Sequence, residues 1–489
     1  MRRLLTTVLA CAALAPAGHL LAQSRATPFV PADHWSAYAV DHLHALGLAP
    51  AGTVRGERSR TVAEVQAVFR NAAERHDVAR DYLRRFDAEF GSDSPGGIML
   101  THASVAAGAG TREGDVAHGT YSTWGEENWT GALAREDRST ATGRGALLVA
   151  LGEYLAAGAV ASGGPLRTAV DELYGVARIG DVALWGGRRM QGYGPGTSGM
   201  VMSGGVPVDG AGIRVEPFRL PWLFRHLGPV RGDITVALPD ANGPVERPYF
   251  ILTRGSIEPH PRVGFGVTRG GMIGAVDEHV SVGDVLLFLA GAHTDGSEYD
   301  NQVAAVDAWF RPPTGSLPLL LYVEWGAEDS AGSWWDVPGI IAGAELAAVP
   351  GLPWLSVVAE RTSFEGSNSG NPPWYRHPIG FHDGWSMRGE LLGHPLGGHG
   401  REWLVQSRAN LMDGRLQLMA RGFRRTRLAE NVYAPERAGR STGLAAGGDL
   451  QLRPGLALQV AGSTESGSGW RMTVVSGALQ VYLPQMGQR

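Results

Sequence analysis

From about residue 97 to the end of the chain, apolar residues recur at every second position, and this period constrains the fold more than any other feature. Leu317, Leu319, Leu321, Val323 and Trp325 share one face of an extended segment whose other positions end in Tyr322, Glu324 and Glu328. Leu450, Leu452, Leu456, Leu458 and Val460 alternate with Gln451, Arg453 and Gln459, and Val475, Leu479, Val481 and Leu483 with Ser476, Ala478 and Gln480. Asn301, Asp307 and Arg311 oppose Ala304, Val306, Ala308 and Phe310. Successive strand side chains point to opposite faces, so each segment has an apolar and a polar side. A soluble β-sandwich or propeller alternates in this way, and so does a membrane barrel, with lipid on one face and a lumen on the other.

The amino terminus bears on that choice. Met1-Arg2-Arg3 and the mostly apolar run from Leu4 to Leu14 have the order of a secretory signal, so residues 1–22 read as a signal peptide cut after Ala17 or Ala22. The only cysteine, Cys11, lies within it, so the exported chain makes no disulfide and no thiolate metal site. The longest later apolar stretch, Gly145 to Ala161, carries Glu153 and falls short of the roughly 20 residues a spanning helix needs. For an exported chain residing in a membrane, a closed barrel remains, because lipid offers no partner to an open strand edge. Residues 97–489 have room for an even number of strands near 18 at about 20 residues per strand and connection. The expected fold is therefore mainly β, a transmembrane antiparallel β-barrel of about 18 strands.

A small α-helical bundle precedes it over residues 30–92, where Gly is sparse and apolar positions recur at three and four. Asp33 is expected to cap a helix that buries Trp35, Tyr38, Ala39, Leu43 and Leu46 and stops near Gly47. Thr61 and Glu64 form a capping box for Val65, Val68, Phe69 and Ala72. A third helix carries Val78, Tyr82, Leu83 and Phe86. Segments 240–244, 311–315, 366–373 and 464–469 read as turns or loops.

Candidate chemistry is sparse. All 43 basic residues are Arg, and no long basic run exists to track phosphates, which argues against nucleic acid. Gly192, Gly194, Pro195 and Gly196 precede no helix start, so they read as a tight turn rather than a phosphate loop. Arg188 and Arg189 beside them pair with acids or face acidic sugars. His377, His382, His394 and His399, with Asp383, fit no compact zinc spacing, and no metal is assigned. Glu324, Glu328 and Asp329 read as loop or lumen charges rather than a glycosidase pair. Ser198 and Ser203 lack the G-x-S-x-G context of a hydrolase. No catalytic residue and no cofactor emerge. Trp334-Trp335 and Trp374-Tyr375 lie beside loop signals and suit stacking on sugar rings. Arg421, Arg424 and Arg425, with Arg427, form the densest basic cluster, either a solvated strand end or a contact for acidic polysaccharide at the barrel mouth.

Three blocks carry a more specific signal. The first runs from Trp185 through Arg188, Arg189, Tyr193, Gly194, Pro195 and Gly196 to Ser203-Gly204-Gly205, and on through Pro221 to Pro229. The second runs from Asp300-Asn301-Gln302 through Asp307 and Tyr322-Val323-Glu324 to Glu328-Asp329. The third runs from Tyr375-Arg376-His377 to His394-Pro395-Leu396-Gly397. In order and spacing the chain resembles the Wzi family of outer-membrane capsule assembly proteins. The resemblance implies an 18-stranded outer-membrane barrel with a periplasmic helical bundle, and a lectin role that holds capsular polysaccharide at the cell surface without chemistry. It also implies contact with outer-membrane lipid and with the barrel-assembly machinery, and it leaves the roles of its motif residues unassigned. A porin for small solutes and a soluble periplasmic polysaccharide enzyme are the alternatives.

Overall fold

In the computed structural model the described residues are 25–32, 34–91, 98–114, 140–163, 168–202, 207–220, 222–246, 248–274, 282–289, 300–328, 338–364, 374–376, 380–387, 390–429, 431 and 437–482. The signal segment 1–22 lies outside them, as do Asp33, Ser203 and His377.

Helices α1 (Ser36–Ala45), α2 (Val62–Ala73) and α3 (Asp77–Phe90) come first. The Thr61/Glu64 capping box opens α2. Helix α1 has Trp35 at its cap position with no side-chain cap, and the Ser36 N–H donates to His34 Nδ1 at 3.3 Å. Its end is marked by Gly47 at φ +74°. Trp35 is the hub of the bundle, stacked on Phe69 and edge-on to Phe86, with its Nε1 donating to Glu89 at 3.0 Å. Such short helices are marginal alone, and these are tied to the β-rich part of the chain. Tyr82 accepts from Asn410 Nδ2 at 2.7 Å and donates to His42 Nδ1 at 2.8 Å, and His42 Nε2 donates to the Ala347 carbonyl at 2.8 Å.

The strands begin with β1 (Ile98–Gly114), β2 (Thr140–Leu151), β3 (Leu155–Gly163), β4 (Thr168–Ile179), β5 (Val182–Met190) and β6 (Pro207–Arg219). Then come β7 (Pro229–Ala237), β8 (Tyr249–His260), β9 (Val263–Ile273), helix α4 (Val282–Leu289), β10 (Asp300–Phe310), β11 (Leu319–Glu328), β12 (Gly339–Leu346) and β13 (Leu355–Ser363). A two-stranded ribbon, β14 (Ser386–Met387) and β15 (Glu390–Leu391), precedes β16 (Gly400–Leu411), β17 (Leu416–Arg427), β18 (Gly439–Arg453), β19 (Leu456–Gly467) and β20 (Trp470–Tyr482). Apart from the ribbon, the strands form one 18-stranded antiparallel sheet in chain order. Ser104 opposite Tyr482 and Gly114 opposite Met472 pair β20 back to β1, so the ring closes. Closure removes the edges that lipid cannot satisfy.

The period of two has the expected meaning. In β10, Asn301 and Asp307 are buried while Val306 and Phe310 are exposed; Leu458, Val460, Val475, Leu479 and Val481 likewise face outward. Residues 464–467, read as loop, instead belong to β19, with Glu465 turned inward and buried. At one end of the ring β2 and β3, β4 and β5, β8 and β9, and β18 and β19 are joined by connections of two or three residues. The helical bundle docks at this short-turn end, where the Arg311 guanidinium donates to the His44 carbonyl at 2.8 Å. The opposite, long-loop end carries the connections 191–206, 274–299 and 364–399. Helix α4 rests outside the wall there, with Val285 and Phe288 on Ile251 and Ile273.

Candidate functional site

An 18-stranded ring is too wide for its inward side chains to fill, so the lumen stays open unless other chain enters it. Here it is entered from both ends. From the long-loop end, residues 191–202 and the described residues of 374–399 fold inward and supply much of the main apolar cluster, including Tyr193, Met202, Trp374, Phe381, Trp385 and Leu396. From the short-turn end, residues 52–60 rise to meet them. The Arg58 N–H donates to the Gly192 carbonyl at 3.0 Å, and Arg55 Nε donates to the Pro195 carbonyl at 3.2 Å.

The junction depends on missing side chains. Gly56 has φ +73°, and a Cβ on it would lie 1.6 Å from the Gly194 carbonyl oxygen; a Cβ on Gly194 would lie 2.7 Å from Glu324. Gly192 to Gly196 is thus a close-approach turn. The wall holds it with acids. Glu324 accepts from the Val201 N–H at 3.2 Å, and Glu360 accepts from the Thr197 and Ser198 N–H groups at 2.6 and 2.8 Å and from the Tyr322 hydroxyl at 2.7 Å. Arg55 pairs with Glu345 at 2.5 Å. Glu328 accepts from the Tyr375 N–H at 2.8 Å. Tyr375, at φ +69°, donates its hydroxyl to the Val201 carbonyl at 2.6 Å, and Trp385 Nε1 donates to the Met202 carbonyl at 2.9 Å. Glu324 and Glu328 are therefore anchors for the plug.

Ser198, His394 and Glu360 have the side chains of a hydrolase triad, but the proton order is reversed. His394 Nδ1 accepts from the Leu396 N–H at 3.1 Å, which assigns the ring proton to Nε2. Nε2 then donates to Ser198 Oγ at 2.9 Å, and Ser198 donates to Glu360. A nucleophilic serine needs a histidine that accepts its proton. This one clamps the first and third sequence blocks together, with Pro395 against Gly199.

A second buried network ties the helical segment to the wall. Arg214 pairs with Glu57 at 2.6 Å and Glu64 at 2.9 Å, and Arg231 pairs with Glu57 at 3.0 Å and with Glu64. The capping-box carboxylate of α2 thus also receives two wall arginines. A third network lies within the wall, where Arg425 pairs with Glu402 and, at 3.2 Å, with Glu465, which also takes Arg427 at 3.0 Å. A cavity of about 10 Å³, room for about one water, lies among Arg55, Glu57, Tyr193, Arg231, Asp233 and Arg254.

Several expected sites are corrected. Trp374 and Tyr375 are fully buried in the plug rather than set on an exposed loop, because their segment fills the lumen. The arginine cluster is divided by the wall. Arg425 and Arg427 turn inward to acids, Arg421 donates to Gln406 at 2.9 Å, and Arg424 is exposed on the outer face. Strand parity separates them, since 424 is the even position, and that signal was present in the sequence. Arg188 forms a two-pronged pair with Asp209, at 2.7 and 2.9 Å, whereas Arg189 is buried over the rings of Phe29 and Trp185, at 3.7 and 4.6 Å. Trp334 and Trp335 lie outside the described residues. Among the described residues no three His, Asp or Glu side chains gather as a metal group. Glu360, Glu345 and Arg55, central to the plug, were missed because their partners lie far away in sequence.

A model of the family described as capsule assembly protein Wzi matches residues 129–474. No curated protein sequence matches the chain. Among solved structures, the Escherichia coli outer-membrane protein Wzi, described as involved in group 1 capsule assembly and as a carbohydrate-binding β-barrel, is 17% identical with a TM-score of 0.71, over 93% of this chain and 99% of that one. Pseudomonas aeruginosa OpdL and OprD are each 10% identical with a TM-score of 0.47, covering 80% and 82% of this chain and 99% of theirs.

Proposed function

Because the chain belongs to the Wzi family of capsule assembly proteins, we propose that it is a non-enzymatic outer-membrane barrel that binds surface polysaccharide and retains it at the cell. The observation that carries this reading is the convergence of the first and third sequence blocks into one plug, locked to the wall by Glu324 and Glu328 of the second block and by Glu360. A lumen filled in this way suits a rigid frame that presents loops, and recognition commonly resides in loops held by such a scaffold. The solved E. coli relative, a carbohydrate-binding barrel, supports the ligand class.

Outer-membrane barrels keep short turns on the periplasmic side and longer loops outside. On that rule the helical bundle faces the periplasm, and the long-loop end faces the medium. Export through a signal cut after Ala17 or Ala22 and insertion by the barrel-assembly machinery complete this reading. Trp334 and Trp335, which fall between β11 and β12 in the sequence, remain our candidates for stacking on sugar.

The test compares cell-bound with released polysaccharide in a strain lacking the chain, in the same strain with it restored, and with Trp334→Ala/Trp335→Ala in its place. Shedding that the intact chain reverses and the double variant reverses only weakly is the expected result. Unchanged retention in the deletion strain would remove the capsule role.

A further inference from the structure

The outer face of β13 and β16 to β20 carries a belt of cations near the long-loop end. Arg361, Arg401, Arg424, Arg440 and Arg471 are all exposed there. Strand pairing sets their height: Arg361 opposes Trp403, which opposes Arg424, and Thr442 and Ser466 continue that row to Arg471. One row further out, Arg401 opposes Thr426, which opposes Arg440. With strands about 4.8 Å apart, neighbouring arginines of each row stand roughly 10 to 15 Å apart along the wall.

Below the belt the wall is apolar: Val405 and Leu444 are exposed beneath Trp403 and Thr442, and Leu418 lies lower on β17. Arg424 is eight residues above the start of β17. At about 3.3 Å per residue and a strand tilt near 40°, that is roughly 20 Å, the upper margin of an apolar band about 25 Å tall. The outward positions of these six strands hold no acidic residue; Glu360, Glu402 and Glu465 all turn inward. Within the belt Arg361 lies over the Trp403 ring at 5.2 Å, and outward arginines elsewhere on the wall have other surroundings. Arg188 is matched by Asp209, and Arg269 donates to Gln302 at 2.6 Å and to the Phe288 carbonyl at 2.7 Å.

Cations with an aromatic ring, set at the upper edge of a lipid-facing surface and on a face without acids, complement a fixed anion at headgroup height. We infer that this belt holds the phosphorylated headgroup of an anionic lipid in the outer leaflet, with Trp403 at the interface. Arginine suits the task because its planar fork meets two phosphate oxygens at once. The inference rests on the membrane part of the proposed function and is independent of polysaccharide binding.

The experiment uses the full chain, folded in dodecylmaltoside micelles, and measures bound lipid and thermal midpoint with bis-phosphorylated lipid A. Arg361→Gln/Arg424→Gln/Arg440→Gln/Arg471→Gln is expected to weaken half-saturation roughly tenfold or more. Lipid A stripped of its phosphates is expected to bind the unaltered chain as weakly as the variant binds the intact lipid, an arm that does not depend on the variant folding. Equal binding of both lipids, or of both proteins, would overturn the inference. So would inorganic phosphate raising the midpoint as far as the lipid does, or polygalacturonate displacing it. A chain that forms no heat-resistant barrel in micelles would instead count against the membrane reading.

Discussion

Gly56 and Gly194 meet where the chain entering from one end of the barrel touches the chain entering from the other. Gly56→Ala would place a methyl group against the Gly194 carbonyl at a left-handed backbone position. Such strain costs about 1 to 3 kcal/mol before any clash is relieved. The variant is expected to keep its heat-resistant barrel while its unfolding midpoint in urea falls and protease gains access between residues 50 and 60. An unchanged midpoint would mean that the two segments do not press on each other. At this scale the sequence was partly legible. The Gly192 to Gly196 run was readable as a turn, and the parity of Arg424 against Arg421, Arg425 and Arg427 was available. What lay opposite Gly194 was not, because Gly56 and Glu324 reach it from more than 100 positions away in the chain. Trp374 and Tyr375 were misread for a related reason: nearby Gly, Asn and Pro mark a loop without telling whether it runs outward or into the lumen.

The helical bundle has a pH dependence of its own. Burial would raise the Glu89 carboxyl, but His34, Arg85 and Trp35 around it outweigh that and hold it down to about 2, against an ordinary 4.5. A depressed acid stabilises the fold above its ordinary value and loses that contribution as pH falls toward the folded value. Burial, with Arg311 nearby for His44, holds His42 and His44 below the usual 6.5, so each must gain a proton on unfolding in mild acid. The helical circular-dichroism signal in urea is therefore expected to weaken in two stages, first as pH falls below 6.5 and again between about 4.5 and 2. Glu89→Gln should shrink the second stage, leaving the part due to Asp41, whose burial is outweighed by Arg58, Arg60 and Arg55, which hold it below the usual carboxylate range, and should cost about 3 kcal/mol at neutral pH. A single stage shared by both proteins would refute the assignment. Elements were the most legible level. The capping box, the Gly47 stop and the alternation in β10, β11, β19 and β20 arise from local spacing. Helix α4 went unread, since eight residues hold too few turns for a period to stand out.

For the molecule as a whole, the filled lumen sets an electrical expectation. In planar bilayers the intact chain is expected to stay closed, and removal of residues 192–200 to produce steady conductance steps. Conductance of the intact chain would revive the porin reading. The strand count was readable from length and period, yet occupancy of the lumen was not, because it depends on acids contributed by separate strands. The ring raises a question of timing. The strand that closes it, β20, is made after the other strands of the ring, and its partner β1 is made before them. The segment that ends up inside, residues 52–60, is made earlier still. During synthesis, then, the stopper exists before the vessel. Of its charged side chains, Arg58 and Arg60 already have a partner nearby in the chain, Asp41 of α1, whereas Arg55 and Glu57 meet Glu345 and Arg214 only once the wall has formed around them.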